Sequence, residues 1–296
     1  MQRSQPVLPR SFLYVPGNKP ELFAKAAAGP ADAVILDLED AVPVDRKDEA
    51  RAAVGAWLRD EAQRREARSG TEPAQRQWVR VAPENLAADL HSVAGPALDG
   101  IFLAKCSAGT LRKAAALLTD LEAEGVLSPR AVGIIGLIED AAALVDLTSV
   151  TDCSRLVTLA IGEVDLMADL RMARSASTEP ALDSIRSRIV LACAAAGLSA
   201  PVAPTSTAIR DLDAFEQSAR KLLDLGFRSR TAVHPTQVDV INRVFTPSTQ
   251  AVAAAREVLS GFDDSGDGVT LDSSGRMVDA AVVRAARETV SRASLF

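Results

Sequence analysis

The most informative part of this chain is two apolar stretches that each end in a carboxylate. They are Ala131-Val-Gly-Ile-Ile-Gly-Leu-Ile-Glu139 and Leu156-Val-Thr-Leu-Ala-Ile-Gly-Glu-Val-Asp165. Runs of this length and composition are typical of parallel strands that are buried on both faces. An acid at the end of such a strand is costly unless it meets a cation or takes part in chemistry. Two carboxylates on neighbouring strand ends, with no cysteine or histidine nearby, favour Mg²⁺ over zinc. The alternative is that Glu139 and Asp165 only cap the helices that follow.

Eight apolar runs occur along the chain, and amphipathic helical segments separate almost all of them. The runs are residues 11–16, 33–39, 77–82, 100–105, 131–139, 155–162, 200–205 and 229–234. Strands that alternate with helices in this number predict an α/β fold, a TIM (β/α)₈ barrel. A doubly wound open sheet is the alternative, but Gly17-Asn-Lys-Pro20 after the first run is not the G-x-G-x-x-G turn of dinucleotide-binding sheets. The seventh run is the least convincing strand, because Pro201 and Pro204 interrupt it.

The C-terminal part of the chain is predicted to be separate from the barrel. We place the barrel at residues 1–247 and a helical extension at residues 248–296. Residues 263–275 are polar and rich in glycine, as in a hinge, and residues 277–293 have the apolar spacing of a helix. A helix on such a hinge can fold back as a lid, reach an adjacent subunit, or only cap the barrel.

Composition and charge exclude several classes of protein. A chain of 296 residues with 48% hydrophobic residues can bury a large core. Its formal charge of -6 argues against nucleic-acid binding, and no window approaches the roughly 20 apolar residues of a membrane span. The cysteines at positions 106, 153 and 193 have neither disulfide nor metal spacing, and the N-terminus has no apolar signal segment. These features predict a cytoplasmic protein with no membrane partner.

Polar side chains collect at the predicted C-terminal ends of the strands, where TIM barrels place reacting groups. They are Tyr14, Asp37, Glu39, Asp40, Arg80, Lys105, Glu139, Glu163, Asp165 and His234. Arg80 can hold a substrate carboxylate, or it can form an internal salt bridge with Asp37 or Glu39. These two acids share one face of the second strand, so we expect Arg80 and Lys105 to neutralise their charges. Asp37, Glu39 and Lys105 are then expected to lie behind the metal ligands. Lys105 could instead form a Schiff base, which the metal-type acids would make redundant.

Two further features at the barrel mouth suggest ligand contacts. Gly162 precedes Glu163 and Asp165 and allows a tight turn whose backbone N–H groups could face a bound carboxylate, so this segment is predicted to bind substrate. Lys19 and Lys25 follow the first strand and could hold a phosphate. A solvated surface is the alternative explanation for both lysines.

Several segments, in chain order, carry a family resemblance. They are Arg10-Ser-Phe-Leu-Tyr-Val-Pro-Gly-Asn18, Ala33-Val-Ile-Leu-Asp-Leu-Glu-Asp-Ala-Val-Pro43, Val79-Arg-Val81, Glu139, Gly162-Glu-Val-Asp-Leu166, and Gly226-Phe227 through Val233-His-Pro-Thr-Gln237 to Phe245-Thr-Pro247. On these residues the chain resembles the citrate lyase β-subunit-like branch of the HpcH/HpaI aldolase superfamily. Its pattern is closest to that of the malyl-CoA and citramalyl-CoA lyases.

The resemblance implies a Mg²⁺-dependent lyase with a TIM-like barrel that assembles as a homo-oligomer, a trimer or a hexamer. By position, Glu139 and Asp165 would bind the metal, and Arg80 would clamp the substrate carboxylate. The coenzyme A site of the malyl-CoA lyases is matched by Tyr14, Lys19 and Lys25.

The resemblance extends into the C-terminal tail, Gly275-Arg-Met-Val-Asp279-Ala280. In longer family members an Asp from the adjacent subunit's tail is the general acid, which makes Asp279 a candidate catalytic residue. One departure concerns the seventh strand, where many relatives carry Asp-Gly and this chain has Ala203-Pro204-Thr205. The substrate pocket on that side is therefore expected to differ.

The activity implied is cleavage, or formation, of a short 3-hydroxyacyl-CoA such as malyl-CoA or citramalyl-CoA. The products of cleavage would be acetyl-CoA or another acyl-CoA and a 2-keto acid, glyoxylate or pyruvate. Alternatives are a citrate lyase β subunit that cleaves a citryl-acyl-carrier-protein thioester to oxaloacetate, a malyl-CoA thioesterase, and a non-catalytic barrel scaffold.

Overall fold

The computed structural model of the protein describes residues 7–68, 75–265, 270–271 and 277–294. Within them, eight parallel strands form a closed barrel in which each strand pairs with the next and the eighth pairs with the first. The strands are β1 (Ser11–Pro16), β2 (Ala33–Asp37), β3 (Arg76–Val81), β4 (Leu98–Leu103), β5 (Gly133–Ile138), β6 (Leu156–Ile161), β7 (Val202–Ala203) and β8 (Ser229–Ala232). The predicted TIM barrel is confirmed, and the open doubly wound sheet is excluded.

Helices connect each of the first seven strands to the next, as parallel strands require, and α10 follows β8. They are α1 (Phe23–Ala27), α2 (Lys47–Ala67), α3 (Leu86–Val93), α4 (Ala108–Ala123), α5 (Ala141–Val145), α6 (Leu147–Thr151), α7 (Glu163–Asp169), α8 (Glu179–Ala195), α9 (Leu212–Leu225) and α10 (Pro235–Phe245). Short 3₁₀ turns at Pro20–Leu22, Val44–Arg46 and Pro83–Asn85 precede α1, α2 and α3.

The interior of the barrel is filled by apolar side chains, among them three aromatic rings. Phe12, Trp78 and Phe102 are at most 3% exposed and meet edge to face, with ring centroids 5.3 to 5.7 Å apart. Aromatic pairs favour this arrangement. Gly100 makes room for it, because a Cβ there would lie 2.2 Å from Cζ3 of Trp78. This packing fixes the strands, and so the side chains at their C-terminal ends.

Every strand after the first ends one or more residues earlier than predicted, and after β2, β4 and β6 this places polar site residues in the following connections or helices. β2 ends at Asp37 and β4 at Leu103, so Glu39 and Lys105 follow their strands rather than close them. The prediction that Asp165 closes the sixth strand is wrong: β6 ends at Ile161, and Asp165 is the third residue of α7. Acidic residues are stabilised in the first turn of a helix, and α7 begins directly after Gly162.

β7 is much shorter than the predicted run over residues 200–205. Only Val202 and Ala203 form a ladder, because Pro201 and Pro204 have no N–H group to donate. One register pair joins β7 to β6, and two join it to β8. This part of the barrel therefore needs support from other hydrogen bonds.

The described residues group into two compact units, residues 1–242 and 243–296. The second unit contains α11 (Thr249–Ser265), an antiparallel pair of two-residue strands, β9 (Thr270–Leu271) and β10 (Met277–Val278), and α12 (Ala280–Ala293), which packs against α11. The predicted helix over residues 277–293 starts later because Met277 and Val278 pair with β9. Of the predicted hinge, residues 266–269 and 272–276 lie outside the described residues. Among the helices that are described, none combines the length and apolarity needed to cross a membrane.

Candidate functional site

An ion-pair network joins the ends of β2, β3 and β4. Asp37 and Arg80 are register neighbours, and Arg80 donates from Nε to Asp37 Oδ1 at 2.7 Å and from Nη2 to Oδ2 at 2.6 Å. Its Nη1 lies 3.0 Å from Glu39 Oε2, and Lys105 Nζ donates to Glu39 Oε1 at 2.9 Å. The expected pairing of these two acids with Arg80 and Lys105 is therefore present, and so is the internal salt bridge of Arg80.

These contacts hold the Arg80 guanidinium in place without using all of its donors. Five N–H groups are available on an arginine: two donate to Asp37, and Nη1 forms an ion pair with Glu39. At least two N–H groups therefore have no carboxylate partner among the described residues. Burial alone would lower the pKa of Arg80, but Asp37 and Glu39 hold it above its usual value. Although burial would raise the pKa of Glu39, Arg80 and Lys105 hold it below its usual range. Arg80 and Glu39 are therefore both ionised at neutral pH.

Glu139 follows β5 and is only 4% exposed. The backbone N–H of Lys105 donates to its Oε2, and Lys105 adopts a φ of 44°, a left-handed conformation that few residues other than glycine take. Burial raises the pKa of Glu139 to about 7; the Lys105 N–H opposes this, while the charges of Glu39 and Asp165 add to it. A buried carboxylate beside other negative charges gains much from a nearby cation.

Gly162 lies directly against Glu139. A Cβ at Gly162 would be 2.4 Å from Glu139 Cγ and 2.7 Å from its Oε1, so any larger residue would displace the carboxylate. The N–H of Gly162 donates to the Ile138 carbonyl, and its φ of -88° is open to any residue. The glycine is therefore needed here for close approach to Glu139, and its own N–H is not available to a bound carboxylate as predicted.

Asp165 and Glu139 line the same cavity, and the Asp165 side chain is exposed. Neither residue caps a helix: the N-cap of α5 is Asp140, whose side chain accepts from Ala143 N–H, and that of α7 is Gly162. The alternative of two capping acids is therefore wrong. No group of three or more His, Cys, Asp or Glu suited to a metal occurs in the described part of the chain. A pair of carboxylates facing an open cavity does fit Mg²⁺, which keeps several waters and uses one or two carboxylates plus its substrate.

The cavity has an empty volume of about 720 Å³, with the open solvent at its mouth included. It is lined by Tyr14, Asp37, Ala41, Arg80, Leu137, Glu139, Ala160, Ile161, Gly162, Glu163, Val164, Asp165, Thr205, Thr231 and Val233. Seven of the barrel strands or the connections after them therefore contribute charged or hydroxyl-bearing side chains to one space.

The three residues predicted to line a coenzyme A site are not all placed in this cavity. Tyr14 lines it, and the Arg80 guanidinium carbon lies 5.0 Å from the centroid of its ring. Burial raises the pKa of the Tyr14 phenol, which stays neutral. Lys19 and Lys25 are exposed, in the connection after β1 and in α1, and are outside the set of lining residues.

Glu163 lines the cavity, but its carboxylate is engaged by two arginines. Arg186 of α8 donates from Nε to Oε1 at 2.6 Å and from Nη2 to Oε2 at 2.9 Å, and Arg174 also donates to Oε2. Glu163 and Arg186 are each 4% exposed. The predicted substrate-binding residue thus anchors α7 to α8. Sequence reasoning missed Arg186, because an arginine in an amphipathic helix carries no sign of burial.

Asp279 is the N-cap of α12 in the second compact unit. Its Oδ1 accepts from Ala281 N–H at 2.9 Å and from Val282 N–H at 3.0 Å, and these two hydrogen bonds hold its pKa below the usual range. In a single protomer this carboxylate is therefore ionised at neutral pH.

The chain is similar to known proteins in sequence and in structure. The model of the HpcH/HpaI aldolase/citrate lyase family matches residues 10–235. An L-malyl-CoA/beta-methylmalyl-CoA lyase from Cereibacter sphaeroides is 32% identical over 327 aligned residues, which cover all of this chain and 98% of the relative. A (3S)-malyl-CoA thioesterase from the same species is 29% identical over 291 residues, covering 96% of this chain and 94% of the relative.

A solved structure has the same fold as this chain. The crystal structure of CitE from Mycobacterium tuberculosis in complex with magnesium, acetoacetate and coenzyme A matches with a TM-score of 0.71 and 30% sequence identity. The match covers 99% of this chain and 100% of that one. The resemblance read from the sequence motifs is confirmed: the chain belongs to the HpcH/HpaI aldolase/citrate lyase family.

Proposed function

We propose that this protein is a Mg²⁺-dependent carbon–carbon lyase acting on a short 3-hydroxyacyl-CoA thioester such as malyl-CoA or citramalyl-CoA. Cleavage would give acetyl-CoA or another acyl-CoA and a 2-keto acid, glyoxylate or pyruvate. The observation that carries the proposal is the meeting of Glu139, Asp165 and Arg80 in one cavity. Alignment over the full chain with a malyl-CoA lyase supports it.

Each of these side chains has a distinct part in the proposed reaction. Glu139 and Asp165 would hold the cation. When bound, Mg²⁺ supplies a Lewis acid for the hydroxyl and carboxylate oxygens of the substrate. Arg80, fixed by Asp37 and Glu39, would orient the substrate carboxylate through its two remaining N–H groups. Such positioning lowers the activation free energy of the reaction, because the bound substrate no longer samples unproductive orientations.

The reaction also needs a proton at the α-carbon of the acyl group. Cleavage leaves a thioester enolate that must be protonated, and the reverse reaction needs a base for the same proton. We assign this to Asp279, carried by the 248–296 extension into the site of an adjacent subunit in a trimer or hexamer. Light scattering on the purified protein tests the assembly, and a monomer would contradict this assignment.

The substitution Asp279→Asn separates a catalytic role of Asp279 from a structural one. Asparagine caps helices about as well as aspartate, so α12 should be retained. We expect turnover to be abolished while binding of Mg²⁺ and of the keto acid stays nearly intact. Weak keto-acid binding by this variant would instead place Asp279 in the metal site or in the fold.

Coenzyme A would be held by Tyr14, Lys19 and Lys25. The positive charges of the two lysines suit its phosphates.

The three cysteines, Cys106, Cys153 and Cys193, are buried and free. This supports a cytoplasmic location, because free thiols persist where the environment is reducing.

A panel of 3-hydroxyacyl-CoA thioesters, each incubated with and without EDTA, tests the proposed activity. We expect EDTA-sensitive release of glyoxylate or pyruvate from at least one substrate, and none from the Glu139→Gln variant. No keto acid from any member of the panel would contradict the proposal, and release of neither keto acid nor free coenzyme A thiol would favour a scaffold.

Hydrolysis of the malyl thioester is a second candidate, favoured by the similarity to a (3S)-malyl-CoA thioesterase. The same panel distinguishes the two reactions. A lyase releases keto acid and leaves acyl-CoA, whereas a thioesterase releases free coenzyme A thiol and the intact hydroxy acid.

A further inference from the structure

Side chains take the place of backbone pairing along the segment after β7. Side chains from β8 and α10 donate to three backbone carbonyls of this segment. Thr231 Oγ1 donates to the Ala203 carbonyl at 3.2 Å, and Arg230 Nε donates to the Pro204 carbonyl at 3.1 Å. Gln237 Nε2 donates to the Ser206 carbonyl at 2.8 Å. Because β7 has only two ladder residues, these bonds decide where residues 203–206 lie.

Gln237 differs from the other two supports in binding two segments at once. It is fully buried in the first turn of α10. While its Nε2 holds Ser206, its Oε1 accepts from the N–H groups of Val233 at 3.0 Å and His234 at 3.3 Å. One amide group therefore links the loop after β7 to the turn after β8.

Both linked segments reach the cavity, through Thr205 and Val233. In the closed eight-stranded barrel β7 lies four strands from β3, so Thr205 and Arg80 are on opposite sides. A ligand whose carboxylate is held on the Arg80 side would direct its remaining substituent towards Thr205 and Val233. Val233 is 41% exposed and Thr205 is partly buried, so neither is locked by packing alone.

We propose that Gln237 is a positioning residue that sets the separation of Thr205 and Val233, and that this pair selects the substituent of the 2-keto acid by size. The inference rests on the proposed function for the identity of the ligand. The separation of Thr205 and Val233 is kept only while the Gln237 amide makes both sets of hydrogen bonds, one through its Nε2 donor and one through its Oε1 acceptor. Selection by size needs such fixed spacing, since one methylene group is discriminated by a pocket of defined width.

Two variants separate the two arms of Gln237. Gln237→Leu removes both. Gln237→Glu keeps an oxygen that accepts from Val233 and His234, but it replaces the donor to Ser206 with an acceptor, so only that arm is lost. Gln77→Leu is the matched control: Gln77 is also buried, at 1% exposure, and accepts from Trp57 Nε1, but it lies near the N-terminal end of β3, away from the cavity mouth.

Two measurements are made on each purified full-length variant with Mg²⁺. Calorimetric titration with glyoxylate, pyruvate and 2-oxobutyrate gives the ratio of affinities between the best keto acid and the next. Hydrogen exchange by mass spectrometry reports on peptides that cover residues 201–210 and 230–240. We expect Gln237→Leu to lower the affinity ratio about tenfold and to speed exchange in both peptides. Gln237→Glu should speed exchange in residues 201–210 alone, and Gln77→Leu should change neither quantity.

Equal loss of discrimination in Gln237→Leu and Gln77→Leu would overturn the inference, because a general loss of stability would then explain it. Unchanged exchange and unchanged ratio in Gln237→Leu would overturn it as well. If the wild-type protein binds none of the three keto acids, the proposed function fails, and with it the ligand named here. The exchange measurement would still decide for or against the bridging role of Gln237.

Discussion

The two sides of the barrel mouth are built with different chemistry. On the side of β2, β3 and β5, Asp37 and Glu139 are buried carboxylates and Arg80 is partly buried. Asp37 forms an ion pair with Arg80, and Glu139 accepts from the backbone N–H of Lys105. On the side of β7 and β8, two of the three supports, Thr231 and Gln237, are neutral, and all three, Arg230 included, donate to backbone carbonyls. Removing Arg80 leaves a buried carboxylate without its cation, whereas removing Thr231 or Gln237 loses only modest hydrogen bonds between neutral groups. We call these the charged side (Asp37, Glu39, Arg80, Lys105 and Glu139) and the neutral side (Thr231 and Gln237). The charged side therefore suits residues that the reaction itself requires, and the neutral side suits residues that select the substrate and can be replaced at a small cost in stability.

The substitution Arg80→Leu should have the largest effect on the charged side. It leaves Asp37 buried with no cation and Glu39 with only Lys105. Breaking a buried pair from one side costs about 3–5 kcal/mol of the free energy of unfolding. Urea unfolding of both proteins measures this loss. Arg220→Leu is the control, because Arg220 forms an exposed pair with Glu216 and should cost only about 0.5 kcal/mol. Equal losses in the two variants would mean that the charged side has no special stability.

The sequence predicts the charged side well and the neutral side poorly. Acids and bases after apolar strands are visible as unusual residues, so the grouping of Asp37, Glu39, Arg80 and Lys105 could be anticipated, as could the barrel itself. The contacts of Gln237 could not, because a glutamine side chain that accepts and donates to backbone groups leaves no periodic pattern.

Distance along the chain and backbone conformation set a further limit. The engagement of Glu163 by Arg186, 23 residues away, requires knowledge of how α8 packs. The left-handed conformation of Lys105 is likewise invisible in the sequence, since no glycine marks it. Gly162 was singled out, but for a turn rather than for its close approach to Glu139.

The substitution Gly162→Ala tests whether the position of Glu139 matters on the charged side. The added Cβ would lie 2.4 Å from Glu139 Cγ, so the carboxylate must move. A displacement of about 1 Å at a reacting group can cost about a hundredfold in rate. We expect a loss of that order in Mg²⁺-dependent turnover, measured by keto-acid release.

A matched glycine controls for this substitution. Gly109 lies in α4, and a Cβ there would be 3.7 Å from its nearest neighbour, Ser107 Oγ. Gly109→Ala should leave turnover unchanged and raise the free energy of unfolding by about 0.5–1 kcal/mol. Unaltered turnover in Gly162→Ala would show that Glu139 tolerates movement.

The substitution Thr231→Val examines the neutral side. It conserves shape and removes the hydrogen bond to the Ala203 carbonyl, which should lower the free energy of unfolding by about 1 kcal/mol. Thr158→Val is its counterpart, since Thr158 Oγ1 also donates to a carbonyl, that of Ser199, but Thr158 is outside the set of residues lining the cavity. Urea unfolding should give similar losses for the two variants, and only Thr231→Val should alter keto-acid affinity in a calorimetric titration. If Thr158→Val also altered the keto-acid affinity, a lost hydrogen bond outside the cavity would be enough to change binding, and the effect of Thr231→Val would not be specific to the neutral side.

The substitution Lys105→Met should have the smallest effect, although Lys105 belongs to the charged side. Its side chain is 49% exposed, so the pair with Glu39 is worth less than about 1 kcal/mol by urea unfolding. The backbone N–H that reaches Glu139 is kept in the variant. A Schiff-base lysine needs a lowered pKa, whereas the hydrogen bond to Glu39 raises the pKa of Lys105. We therefore expect Lys105→Met to retain turnover, and borohydride with pyruvate to leave the mass of the wild-type protein unchanged. A reduced adduct on Lys105 would make this residue the reacting group and remove the reason for assigning catalysis to a metal held by Glu139 and Asp165.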